Sequence, residues 1–165
     1  MISSKDFDCF WGLYKEAFPE TERRTYEDQK KLLARREYAL DLFYDEAVLA
    51  GFVSRWTLSF CTFIEHIAVS PAFRGKRFGT HIMEQVLSAA ECVVLEVEIP
   101  HEEIQYRRIG FYERLGFHLL PYSHVQKPLR PGGCSLPLHL MSAPAALSED
   151  AYERFVADLD QVVYG

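Results

Sequence analysis

At 165 residues and 48% hydrophobic, the chain can bury one sizeable core and is too short for two ordinary domains, so a single domain over residues 1–165 is expected. The formal net charge of −6 argues against general nucleic-acid affinity, because the only concentrated basic stretch is one short loop and part of the acid excess lies in the tail from Glu149 to Asp160. No run approaches the roughly 20 apolar residues of a membrane span, and the opening MISSKDFDCFWGLYKE lacks a secretory apolar region, so a cytoplasmic protein without membrane attachment is expected.

Taken in chain order, Ser3 or Ser4 can cap a first helix whose apolar stripe is Phe7, Phe10, Trp11, Tyr14 and Phe18. Thr25 followed by Asp28 suggests the start of a second helix, and the charged segment PETERR lies between the two. YALDLFY and AVLAGFVSRW, separated by Asp45-Glu46, read as a hairpin with Gly51 at a bulge. Phe63 to Val69 reads as a strand that Ser70-Pro71 stops. From Phe78 the apolar residues recur at Ile82 and Val86 and at Met83 and Leu87, the spacing of one helical face. VVLEVEIP is a further strand, and EIQYRRIGFYERLGF a helix ending near Gly116. Extended segments around Leu119 to Gln126 and Leu136 to Met141 flank the connection LRPGG. The last segment, 148–163, puts Tyr152, Phe155, Val156, Leu159, Val162 and Val163 on one stripe and reads as a packed C-terminal helix. The expected fold class is α/β (α+β), a mixed sheet with helices on both faces.

The run from Phe63 to Leu87 is the most informative. Its loop holds Arg74, Gly75, Lys76, Arg77 and Gly79, and no acidic residue interrupts Ser70 to Met83. Free backbone N–H groups at the helix start, the positive end of its dipole and three cationic side chains therefore converge, which suits a pyrophosphate. The loop fits neither GxxxxGK[ST] nor GxGxxG.

With the preceding Ile67-Ala68-Val69, this loop resembles the acetyl-CoA loop of the GCN5-related N-acetyltransferases (GNAT), whose pattern is Gln/Arg-x-x-Gly-x-Gly/Ala after a strand ending like IAV. Arg74 and Gly79 fit the outer positions; Arg77 replaces the inner glycine, keeping its backbone donor and adding a side chain. The later helix is similar to the family pattern N-x-x-A-x-x-x-Y-x-x-x-G-F at Tyr112, Gly116 and Phe117, with Gln105 at the asparagine position and Arg108 at the alanine position. The resemblance covers residues 1 to about 142 and leaves the C-terminal helix as an addition. It implies a mostly antiparallel sheet with a central splayed parallel strand pair. It also implies acetyl-CoA as acyl donor, bound by Ile67, Ala68, Val69, Arg74, Gly75, Lys76, Arg77, Phe78, Gly79, Thr80, Gln105 and Tyr112.

The implied reaction is direct transfer of acetyl to a primary amine on a small molecule or peptide, without metal. Tyr112 is the candidate acid for the departing thiolate, the alternative being a core aromatic. Glu65, two residues before Ile67, is the candidate base or amine holder, with partial burial expected to raise its pKa. His66 should point to the opposite face by strand alternation and be packed or hydrogen-bonded. Glu96 and Glu98 place two carboxylates on one side of a strand expected to be apolar; they face the splay or pair with cations such as Arg107 or Arg108. PETERR is the candidate substrate rim. His101-Glu102 lacks the second histidine of a zinc helix, and the four cysteines are expected to be reduced and mostly buried. A CoA-binding sensor or interaction module without catalysis is the alternative function, and both monomer and homodimer stay open.

Overall fold

The computed structural model describes all of residues 1–165. The element order is α1 (Ser4–Ala17), α2 (Tyr26–Lys31), β1 (Tyr38–Asp45), β2 (Val48–Thr57), β3 (Thr62–Val69), α3 (Phe78–Ser88), β4 (Val93–Glu98), α4 (Glu103–Arg114), β5 (His118–Leu119), β6 (His124–Gln126), β7 (Leu136–Ala143) and α5 (Glu149–Asp158). Three helices begin on side-chain caps of the same design. The hydroxyls of Ser3, Thr25 and Ser148 accept from the backbone N–H groups of Asp6, Asp28 and Ala151, satisfying donors that the helix itself cannot. α2 starts at the expected Thr25 cap, runs for six residues and tightens into a 3₁₀ turn at Leu32–Ala34. The expected segment from Leu119 to Gln126 is two short strands rather than one.

All seven strands share one sheet in the order β1-β2-β3-β4-β7-β5, with β6 also paired to β7. Every pairing is antiparallel except β3 with β4. That parallel pair is joined at only three positions, Thr62 with Val93, Phe63 with Val94 and Ile64 with Leu95. Beyond them β3 stays on β2 and β4 stays on β7, so the sheet opens between the two.

Alternation along each strand divides the core into two layers. Phe52, Phe63 and Leu140 face α1 and α5, where Phe7, Phe10, Tyr14 and Phe155 meet them. Val53, Ile64 and Met141 face α3 and α4, where Ile82, Met83 and Ile109 meet them. Each of these buried side chains contributes roughly 1.5–3 kcal/mol of transfer free energy. α5 completes the first layer with Phe155, and its continuation, a π-helical turn at Leu159–Val163, adds Leu159 and Val163.

Two irregularities in β-pairing have local causes. Opposite Phe43 and Tyr44 the register skips Ala50, and a side chain at neighbouring Gly51 would come within 2.7 Å of the Ala68 carbonyl oxygen. Glycine is therefore required there by close approach of backbone. Opposite Ser54 and Arg55 the register skips Glu65, making Glu65 the extra residue of a bulge in β3. The cysteine expectation is only half met: Cys61 is buried and Cys92 half-buried, whereas Cys9 and Cys134 are exposed.

Candidate active site

Where β3 and β4 part, the chain forms an open cleft of about 670 Å³. Glu65, Ile67, Ala68, Val69, Arg74 and Tyr112, all expected from the sequence, line it together. Pro19 and Glu22 of the PETERR segment also line it. A second cleft, of about 530 Å³, lies among the N-terminus, β1 and α3 and contains none of the expected residues. The splayed strands and the chemistry both belong to the first.

At one end of this cleft is the basic loop. Arg74, Gly75, Lys76 and Arg77 are exposed, and Arg77 is the N-cap residue of α3. Gly75 has φ 77° and Arg77 has φ 65°, both left-handed. For Arg77 this conformation costs about 1–2 kcal/mol, which gives a physical reason for glycine in the pattern at that position. No side chain caps α3 and no acid stands in its first turn, so its leading N–H groups remain free for an anion. A side chain at Gly79 would meet Phe111 and Val69 only at 3.6 and 3.7 Å, so packing within the chain does not demand glycine there.

At the other end, the bulge overturns the alternation expected for Glu65 and His66. Instead of facing opposite sides, the two side chains lie together, with His66 Nδ1 3.7 Å from Glu65 Oε2, and they are 4% and 2% exposed. Arg24 Nη1 reaches the same Glu65 oxygen at 2.7 Å. Burial alone would raise the Glu65 pKa, as anticipated, but the Arg24 guanidinium and His66 outweigh it and hold the carboxyl well below the usual carboxylate range. His66 itself is packed and hydrogen-bonded, its ring edge-on to Tyr14 and Phe18 and its Nε2 2.9 Å from the Glu22 carbonyl oxygen.

Arg24 is held in turn from outside. Its backbone N–H donates to the Tyr14 hydroxyl. Arg130, in the LRPGG connection, donates to the carbonyls of Arg23 and Arg24 and to the Glu20 carboxylate at 2.8, 3.3 and 2.6 Å. Sequence reasoning missed both arginines, because their partners lie 41 and more than 100 residues away and no local spacing signals such pairs.

Tyr112 is buried beside Phe111 and Phe117 in the α3/α4 layer and also lines the cleft, so the core and site readings hold together. Burial pushes its pKa up to about 12, keeping the phenol protonated at neutral pH. Gln105 behaves differently from expectation. Its carbonyl oxygen accepts from the N–H groups of His101 and Glu102, and its amide donates to Glu98 at 2.7 Å. The oxygen of the amide thus serves the start of α4, in a capping box with Glu102, while its nitrogen ties that start to the end of β4, and Gln105 does not line the cleft. Glu98 also receives Arg108 at 3.2 Å, while Arg107 pairs with Glu103. Glu96, deeper in the cleft, is bracketed by His124 at 2.7 Å and Gln126 at 3.1 Å, partners not foreseen from the sequence.

No match was found among curated protein sequences. The profile of the Acetyltransferase (GNAT) family matches residues 7–117. Among solved structures, a protein of Bacteroides thetaiotaomicron described as an acetyltransferase from the GNAT family is 31% identical, with a TM-score of 0.87 over 99% of this chain and 96% of that one. The ribosomal-protein-S18-alanine N-acetyltransferase of Escherichia coli, 16% identical, superposes with a TM-score of 0.64 over 90% of this chain and 93% of its own. An aminoglycoside 6'-N-acetyltransferase complexed with coenzyme A, also 16% identical, gives 0.63 over 85% and 91%. At these lower identities the likeness shows the fold alone, but the profile match spans the splayed strands, the basic loop and Tyr112. This chain belongs to the acetyltransferase (GNAT) family.

Proposed function

We propose that the protein transfers an acetyl group from acetyl-CoA to a primary amine by direct attack. The observation that carries this reading is the meeting of three parts in one cleft: the anion-receptive loop at Arg74, the buried Glu65 carboxylate and the Tyr112 phenol. Arg74 and the free N–H groups of α3 would hold the pyrophosphate, with Gly79 leaving room for close approach of a ligand. From Glu65 onward the edge of β3 is unpaired on the β4 side, so its backbone groups can hydrogen-bond an amide-containing arm laid between the strands. Glu65, ionised by its contact with Arg24, would hold the acceptor ammonium, and Tyr112 would protonate the departing thiolate. None of the four cysteines lines the cleft, which favours direct transfer over an acyl-enzyme.

Acetyl-CoA at 100 times its dissociation constant should stabilise the fold by about 2.7 kcal/mol, read as a rise in Tm. Arg74→Glu should abolish most of that rise and leave the ligand-free Tm unchanged, since Arg74 is exposed. Release of free thiol with a panel of primary amines then tests catalysis. A ligand-dependent Tm shift without turnover of any amine would favour a non-catalytic CoA-binding module instead.

A further inference from the structure

We propose that Cys61 and Cys92 are a redox-active dithiol, a modification site at which a peroxide closes a reversible disulfide across the base of the parallel strand pair. The pair lies outside the cleft, and its chemistry is independent of the acetyl-transfer reading. The parallel register runs Thr62 with Val93, Phe63 with Val94 and Ile64 with Leu95, so the residues one step before it, Cys61 and Cys92, are cross-strand neighbours. The Thr62 N–H donates to the Cys92 carbonyl oxygen at 2.9 Å, which carries the ladder to that step, and the Cys61 carbonyl oxygen accepts from the Leu58 N–H at 2.9 Å. Strand neighbours lie about 4.8 Å apart, inside the range of Cα separations that disulfides span. The two side chains also share a face. Thr62 and Val93 point towards α3. By alternation Cys61 and Cys92 point the other way, with Phe63 and Val94, and both pack in the α1/α5 layer.

The two thiols are unequal. Cys92 is half-buried and reachable from solvent, whereas Cys61 is buried. A hydrogen bond between the thiols, together with burial, pushes Cys61 up in pKa, and the same bond lowers Cys92. The charges near Cys61 are Asp158 and Arg154 on α5, and Ser59 engages both. Cys92 is therefore the attacking thiolate and Cys61 the resolving thiol. The Cys92 thiolate attacks one peroxide oxygen and the O–O bond breaks. This leaves a sulfenic acid and a hydroxide, which takes the proton that Cys92 gave up. The Cys61 sulfur then attacks the Cys92 sulfur, the S–O bond breaks, and the released hydroxide leaves with the Cys61 proton as water. Two thiols lose two electrons in all, and one peroxide is reduced to two waters. Closure makes a ring of residues 61–92, which contains β3, the basic loop and α3. The tie lies on one side of the three rungs and the strands part on the other, beyond Ile64 and Leu95, so the cleft stays open.

The test uses the full-length protein carrying Cys9→Ser and Cys134→Ser, both at exposed positions, so that only the pair can react. Hydrogen peroxide should remove both free thiols without forming dimers, and the peptide map should join Cys61 to Cys92. Dithiothreitol should return both thiols. The oxidised chain should melt at a higher temperature than the reduced one, since the ring restrains the unfolded chain. With Cys61→Ala added, the sulfenic acid should persist on Cys92 and be trapped by dimedone. With Cys92→Ser added instead, Cys61 should stay reduced under the same treatment. Native protein that keeps both thiols alkylatable after peroxide, or that oxidises Cys92 beyond sulfenic acid without a link, overturns the proposal. So does a link that forms only in denaturant, or one that lowers the Tm. Where the added variants fail to fold, the peptide map of the wild-type chain after peroxide decides by itself.

Discussion

Tyr112 and Glu65 illustrate how burial acts in opposite directions on two cleft residues. In Tyr112 burial has little to oppose it and favours the neutral phenol, pushing the pKa up to about 12. Tyr112→Phe keeps the ring between Phe111 and Phe117, so stability and acetyl-CoA affinity should hold while kcat falls about 10- to 10³-fold, the share of a positioned acid. In Glu65 the same desolvation is outweighed by Arg24 and His66, and the folded-state pKa lies below the unfolded value. Its contribution to stability is therefore complete above the unfolded glutamate value of about 4.3 and is lost as pH falls through it towards the depressed folded value. Between pH 7 and pH 3 the Tm of wild type should fall further than that of Glu65→Gln, measured by thermal melts across the range. Equal slopes would show that the Arg24 pair does not couple to folding.

At the scale of elements, the turn from β3 into α3 combines anion-receptive geometry with a backbone position that suits glycine better than arginine. Arg77 caps α3 at φ 65°. Arg77→Gly would relieve about 1–2 kcal/mol of left-handed cost and return about 0.4–1 kcal/mol as unfolded-chain entropy. A modest net gain in stability, near 0.5 kcal/mol, should appear in denaturant midpoints of the ligand-free protein. The same variant removes a cation, so any loss of acetyl-CoA affinity should shrink as salt rises and screens the remaining charges. A destabilised Arg77→Gly would mean that the arginine side chain contributes contacts to the loop that outweigh its backbone cost. The bulge in β3 is the second decisive element, because one extra residue turns Glu65 and His66 towards each other.

Over the whole molecule, α5 joins the layer that also carries α1, so the segment after β7 is part of the core. Phe155 is fully buried against Phe63 at 5.6 Å between ring centroids, and Phe155→Ala should cost about 3–5 kcal/mol in chemical denaturation. The sequence by itself determined the features whose causes are local: the Ser3, Thr25 and Ser148 caps, the stripes of α1, α3 and α5, the strand, basic loop and helix order, and the positions of Arg74 and Tyr112. These follow from period, capping and turn chemistry within a few residues. Only the tertiary structure decided what the cleft residues do to one another. Arg24 with Glu65, Glu96 with His124 and Arg130 with the 20–24 segment join stretches 28 to 110 residues apart, whose electrostatics depend on which segments the sheet order brings together. Alternation placed His66 on the wrong side of β3 because a bulge is a property of two paired strands, set by how β2 and β3 meet, and neither strand's own sequence states it.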